Sequence, residues 1–164
     1  MAIDALLAPL LRVEIFQGLS PLQITEIARR AERIVFKPGS KITVAGKDAD
    51  AAYLIVGGVA DCLSMDDDGL PEAVEEASLI GEMAMLIEHS YGATVLARGN
   101  VRCLKILRSE MHEQMLDDPV LADKLSANIT ARLTRVAQEL RAIDRDVAQT
   151  NYGHSDNMAQ ILAH

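Results

Sequence analysis

Eight of the ten glycines in this 164-residue chain (Gly39, Gly46, Gly57, Gly58, Gly69, Gly81, Gly92 and Gly99) fall within one central stretch. Successive gaps between them are 7, 11, 1, 11, 12, 11 and 7 residues. Short strands joined by tight turns recur every ~8–12 residues, and glycine enters the positive-φ turns without a Cβ clash. The intervening segments agree. Ile34-Val35-Phe36, Ile42-Thr43-Val44, Tyr53-Leu54-Ile55-Val56 and the run from Val101 to Leu107 are β-branched or aliphatic. Gly57-Gly58 and Asp68-Gly69 read as hairpin signals. The expected fold is mainly β with flanking helices: an antiparallel β-roll or jelly roll, short N-terminal helices and a long C-terminal helix.

The flanks carry helix signals. Ser20-Pro21 predicts a helix to about Arg30, with Ser as N-cap and Pro at the first helical position. Ser109 is expected to cap a short helix from Glu110 to about Leu116. Asp118-Pro119 starts a long one, and no Gly or Pro follows until Gly153. Leu121, Leu125, Ile129, Leu133, Val136, Leu140, Ile143 and Val147 follow at spacings of 4, 4, 4, 3, 4, 3 and 4, close to a heptad seam. A helix of ~30 residues is a rod of ~45 Å, longer than a small β-domain covers. Leu121 through Ile143 are therefore expected to form the interface of a homodimer; the alternative is a helix packed on its own domain. The expected divisions are residues 1–32, an N-terminal helical segment; 33–108, the β-roll; 109–149, the two C-terminal helices; and 150–164, a tail. In that tail Met158, Ile161 and Leu162 either dock as a short helix or fray.

Composition bounds the function. Sixteen Lys and Arg against 24 Asp and Glu give a net charge of −8, which argues against DNA, RNA or anionic lipid as partner. The chain is 49% hydrophobic but only 3% aromatic, with no Trp, so the core is aliphatic and base-stacking platforms are not expected. Cys62 and Cys103 form no CxxC pattern and are read as small core thiols in a reduced, cytoplasmic setting. The apolar start MAIDALLAPLL lacks a basic region and is too short to span a bilayer. Four histidines show no H-x-H pairing, and His89 is expected on an exposed loop. No G-x-S-x-G occurs, and Gly46-Lys47 is followed by Asp48 rather than Ser or Thr. Asp66-Asp67-Asp68-Gly69 lacks the alternating ligands and closing Glu of a calcium loop and reads as a solvated hairpin tip. Neither a catalytic nor a metal site is expected.

One segment stands apart: Gly81-Glu82-Met83-Ala84-Met85-Leu86-Ile87-Glu88-His89-Ser90-Tyr91-Gly92-Ala93-Thr94-Val95. It reads as a sharp turn, a helix of one or two turns and a polar return into a strand. The first N–H groups of such a helix can hold an anion. The segment resembles the phosphate-binding cassette of the cyclic nucleotide-binding domain family, G-E-x-A-L-L followed after a spacer by R-[S/T/A]-A-T-V. Gly81, Glu82, Ala84, Leu86, Ala93, Thr94 and Val95 match, and Met85 is a mild variant. Phe16-Gln17-Gly18-Leu19-Ser20, Phe36-Lys37-Pro38-Gly39 and Tyr53 through Val59 are similar as well, so the resemblance spans roughly residues 10–145.

The resemblance implies a β-roll that binds cAMP or cGMP, with Gly81, Glu82, Met83, Ala84, Tyr91, Gly92, Ala93 and Thr94 at the ligand. It also implies coupling of that site to a dimeric helix. One residue departs: the arginine that pairs with the cyclic phosphate falls on Tyr91, with Gly92 beside it. From Asp48 to Ala97 there are 11 acidic residues and no Lys or Arg, the flanking cations being Lys47 and Arg98. The missing cation leaves two readings of each residue. Glu82 meets a ribose hydroxyl, or merely favours a helix N-terminus. Tyr91 donates its hydroxyl to a ligand, or folds inward and fills the phosphate site. Ala84 and Ala93 admit a ligand or pack a tight core, and Thr94 is a ligand contact or a strand residue. The chain is thus expected to be a non-enzymatic sensor module that binds cAMP or cGMP atypically. The alternative is a domain that binds no cyclic nucleotide and serves as a dimeric interaction scaffold. No membrane contact is expected. Related DNA-binding regulators carry a helix-turn-helix after the long helix; with about 15 residues beyond it, DNA contact by this chain alone is not expected.

Overall fold

Ser20 accepts a hydrogen bond from the Gln23 N–H at 3.2 Å, and the Gln23 side chain accepts from the Ser20 N–H at 2.8 Å, a reciprocal capping box. With Pro21 at the first position, this starts α2 (Pro21–Arg30), whose Ile24, Ile27 and Ala28 are buried. The computed structural model describes the backbone of residues 2–63 and 70–162, and side chains of residues 7–63 and 70–148. α1 (Ala2–Leu11) and a 3-10 turn (Glu14–Phe16) precede α2. The acidic run Asp66-Asp67-Asp68-Gly69 and the side chains of His154, Met158, Ile161, Leu162 and His164 lie outside the described residues.

Two four-stranded antiparallel sheets follow. The first contains β1 (Glu32–Phe36), β10 (Val101–Leu107), β4 (Ala51–Gly57) and β7 (Leu79–Ile80), in that order. The second contains β2 (Lys41–Thr43), β9 (Thr94–Ala97), β5 (Ala60–Leu63) and β6 (Glu72–Val74). A two-stranded ribbon pairs β3 (Asp48–Ala49) with β8 (His89–Ser90). The expected β-roll with flanking helices is the observed fold. Ile55, Val101 and Cys103 from the first sheet meet Ile42, Ala60, Val95 and Ala97 from the second in one core cluster. β4 reads as an unbroken apolar run because both its faces are covered. Ile55 enters the core between the sheets, while Leu54, pointing the other way, is fully buried on the face where α1 packs. Each such aliphatic side chain contributes ~1.5–3 kcal/mol when fully buried.

Gly57-Gly58 does not make a hairpin. β4 and β5 belong to different sheets, so the chain turns a corner there. Gly58 has φ +93°, and a Cβ on it would lie 2.4 Å from the Asn100 carbonyl oxygen. Positive-φ glycine serves a hairpin or a corner equally well, which is why the sequence pattern does not separate them. β5 and β6, by contrast, are paired neighbours, as the Asp68-Gly69 signal implies.

α3 (Arg108–Asp117) begins two residues earlier than expected, and Ser109 does not cap it. Leu107 is the N-cap with no side-chain bond. The start is held instead by the Arg108 N–H, which donates to the Asp50 carbonyl at 2.8 Å. α4 (Pro119–Leu162) starts where Asp118-Pro119 predicts, with Asp118 Oδ1 accepting from the Leu121 N–H at 3.2 Å. It continues as one helix through Gly153, so residues 150–162 extend it rather than forming a separate tail.

The chain divides into two units, Met1–Leu125 and Ser126–His164. Leu121 and Leu125 are fully buried in the first, so they are core residues of this chain and not interface residues. Heptad spacing runs on through both halves of α4, and spacing alone does not say which turns are already covered. Ile129 is half-buried, whereas Leu133, Val136, Leu140 and Ile143 are exposed. No helix among the described residues is long and apolar enough to cross a membrane.

Candidate functional site

The cassette leaves β7 through Gly81, whose left-handed backbone (φ 67°, ψ 40°) opens a single 3-10 turn, Glu82–Met85. This one turn lies within the one or two expected, though it is 3-10 rather than α, and the Ala84 N–H is bonded to the Gly81 carbonyl at 2.9 Å. Ala84 and Met85 point inward and are fully buried. Ala84 is therefore a packing residue, not a side chain available to a ligand. The Arg108 guanidinium takes its carbonyl as well, at 3.4 Å. Glu82 and Met83 are half-buried at the start of the turn. His89 is exposed as expected, but on β8 rather than a loop.

Tyr91 folds inward. Its hydroxyl donates to the Ala51 carbonyl at 2.8 Å, and its ring covers Gly81 so closely that a Cβ there would sit 2.8 Å from Cε1. Gly81 is thus required twice, for its positive φ and for the room it leaves the ring. Burial, with Tyr53 and Asp50 nearby, pushes the phenol well above its ordinary pKa. The strand is also pinned through its backbone, since the Tyr91 N–H donates to the Lys47 carbonyl at 3.0 Å and the Gly46 N–H to the Tyr91 carbonyl at 2.8 Å. Gly92 is exposed and Ala93 half-buried. The Ala93 carbonyl accepts from the Thr43 hydroxyl, and the Thr94 hydroxyl from the Ala45 N–H, each at 3.0 Å. Thr94 thus stitches β9 to the loop after β2, which favours the strand reading.

Beside Tyr91 lies an open cavity of about 350 Å³, lined by Cys62, Val74, Leu79, Ile80 and Val95 together with Gly81, Gly92 and Ala93. Its described lining contains no Lys, Arg or His. Of the flanking cations, Arg98 is paired with Asp61 at 2.6 Å, and Lys47 is exposed and absent from the lining. Cys62 is half-buried, packed against the core cluster and lining this cavity, and burial with Glu72 nearby raises its thiol pKa. Cys103 is the core thiol, pushed up to about 12 by burial. Among the described residues no group of three or more His, Cys, Asp or Glu side chains converges as a metal site.

Arg108 is a residue that no sequence motif marks. Its Nη1 donates to the carbonyls of Ala49 at 2.8 Å and Ile87 at 3.1 Å, besides Ala84. His112, one turn on, places Nε2 against the Leu86 carbonyl. Two residues of α3 therefore grip the end of the cassette turn. α3 is in turn tied to α2 by Arg30, which pairs with Glu26 at 2.8 Å, Asp117 at 3.4 Å and Glu110 at 3.5 Å. Gln23 donates to Asp118 at 2.9 Å, at the joint between α3 and α4.

The fold recurs in known proteins. The N-terminal domain of a transcriptional regulator from Streptomyces coelicolor A3(2) superposes with a TM-score of 0.73 at 21% identity, over 80% of this chain and 94% of that one. A cyclic nucleotide-binding-like protein from Brucella abortus matches at 0.60 and 27% identity, over 66% and 96%. The sensor domain of the transcriptional regulator DNR from Pseudomonas aeruginosa matches at 0.64 and 22%, over 84% and 95%. At these identities the likenesses speak for the fold. The model of the cyclic nucleotide-binding domain matches residues 33–118, more than half of the 164, and spans both sheets and the cassette. This chain belongs to the cyclic nucleotide-binding domain family.

Proposed function

We propose that the chain is a non-enzymatic regulatory module that has kept the family fold but takes no cyclic phosphate, and that it works as a dimer through the exposed face of α4. The observation that carries this is Tyr91: the phenol, which the cassette resemblance aligns with the phosphate-pairing arginine, is turned inward onto Ala51. A guanidinium makes charge-assisted bonds to a phosphate, among the stronger polar contacts. Here an anion would meet a cavity without a cation, in a stretch with 11 acids and no base. The exposed Leu133, Val136, Leu140 and Ile143, together with Ile129, supply the spacing of a two-helix seam. The grip of Arg108 and His112 on the cassette supplies a path from the β-roll to α3. A cytoplasmic regulatory setting fits the absence of a membrane-spanning helix among the described residues and the regulators with which the fold is shared.

The second reading, cAMP or cGMP bound without the arginine, rests on Gly81 and Glu82 standing at the family positions. Calorimetric titration separates the two. No saturable heat is expected with either nucleotide, and a Kd below ~10 µM, about −7 kcal/mol, would overturn the proposal. Tyr91→Arg is expected to create or strengthen binding. Light scattering should return a dimer at micromolar concentration, and a monomer there refutes the seam.

A further inference from the structure

The β-roll cavity has a lining that selects for a ligand of another kind. We infer that it binds a small, uncharged, apolar molecule, an inference that rests on the reading that no cyclic phosphate is taken. Its volume, about 350 Å³, falls at the lower end of the ~300–1,000 Å³ of small-molecule sites. Val74, Leu79 and Ile80 remain only half-buried there, so water stands against aliphatic walls that a ligand would cover. The polar side chains of the lining are already engaged within the chain, Thr43 on the Ala93 carbonyl and Tyr91 on the Ala51 carbonyl. No side chain in the described lining carries a charge to pair with a ligand's, and burying an unpaired charge is costly. The surroundings disfavour anions in particular, for the Cys62 thiol and the Tyr91 phenol are both displaced towards their neutral forms. Size excludes a peptide helix, and the lack of a cationic side chain in the described lining disfavours a nucleotide or a sugar phosphate, which leaves a compact neutral molecule.

Gly92 offers the cleanest test. It lines the cavity, its φ is not positive, and an added Cβ meets nothing within 4 Å. Gly92→Leu should therefore fold normally and obstruct the site. Wild-type protein is titrated with neutral N-phenylnaphthylamine and with anionic anilinonaphthalene sulfonate, both read by fluorescence. The neutral probe should bind saturably at one site per chain, and the sulfonate about tenfold or more weaker, equivalent to about 1.4 kcal/mol. Gly92→Leu should weaken the neutral probe at least about tenfold at an unchanged melting temperature. No saturable binding of the neutral probe, equal binding of the sulfonate, or binding untouched by Gly92→Leu overturns the inference. Should Gly92→Leu melt early, Ala93→Leu replaces it with the same expected loss. Displacement of the probe by cAMP would instead sink the reading on which the inference rests.

Discussion

Arg108→Met removes a guanidinium but keeps an apolar stem of similar length, so it isolates the hydrogen bonds from the packing. Wild-type Nη1 makes two well-formed bonds, to Ala49 at 2.8 Å and Ile87 at 3.1 Å, and a long one to Ala84 at 3.4 Å. A hydrogen bond with one charged partner contributes ~1.5–3 kcal/mol net, towards the lower figure where water can replace the donor. The Ile87 end is exposed and the Ala49 end part-buried. Counting the Ala49 bond in full and the others at a fraction gives a loss of about 2–3 kcal/mol. With a urea m-value of ~2 kcal/mol/M, the midpoint should fall by ~1–1.5 M at unchanged m. The effect should also be local. Amides of the cassette turn, including Leu86 and Ile87, should exchange faster relative to the global unfolding rate, because the Arg108 bonds between that turn and α3 would be lost while that of His112 stays. A midpoint shift below ~0.2 M, or cassette exchange that simply tracks global stability, would refute the idea that Arg108 joins the cassette to α3.

Gly58→Ala places a methyl 2.4 Å from the Asn100 carbonyl at φ +93°, so a loss above ~2 kcal/mol is expected in the same urea assay. Leu133→Glu with Leu140→Glu, both on exposed turns of α4, should convert a dimer to a monomer by light scattering while leaving the far-ultraviolet signal of the β-roll intact. The Arg29 and Arg30 guanidiniums hold the Glu26 carboxyl down at about 2, below its ordinary 4.5. Because the folded value is depressed, this contribution is present above about pH 4.5 and disappears as pH falls towards 2. Glu26→Gln should flatten the acid limb of the stability curve in that window, and it should cost under ~1 kcal/mol at neutral pH because the pair is solvent-screened.

Elements that carry their own local chemistry are legible in the amino-acid sequence. The Ser20-Pro21 cap, the Val101–Leu107 run and the Asp118-Pro119 start all lie where their residues place them. Features set by distant partners are not legible in this way. β3, β7 and β8 are two-residue strands, too short for any periodicity, and exist only through pairing. Leu121 and Leu133 sit on one continuous spacing, yet one is buried and the other exposed, because burial depends on what packs against each turn. Arg108 meets carbonyls 21, 24 and 59 residues away, and no local pattern marks such a contact. The cassette resemblance aligns Tyr91 with the family's arginine. Its inward turn is one of two alternatives that the residues leave open, decided by the Ala51 carbonyl across the roll and by the absence of a side chain at Gly81.

The proposed function requires that Tyr91 close the site where the resembled cassette would hold a phosphate. A crystal structure of the protein grown in millimolar cAMP tests it most directly. The Tyr91 hydroxyl should remain 2.8 Å from the Ala51 carbonyl oxygen, with its ring over Gly81 and no nucleotide density in the roll. A cyclic phosphate seated at Gly81 with Tyr91 swung outward would contradict it.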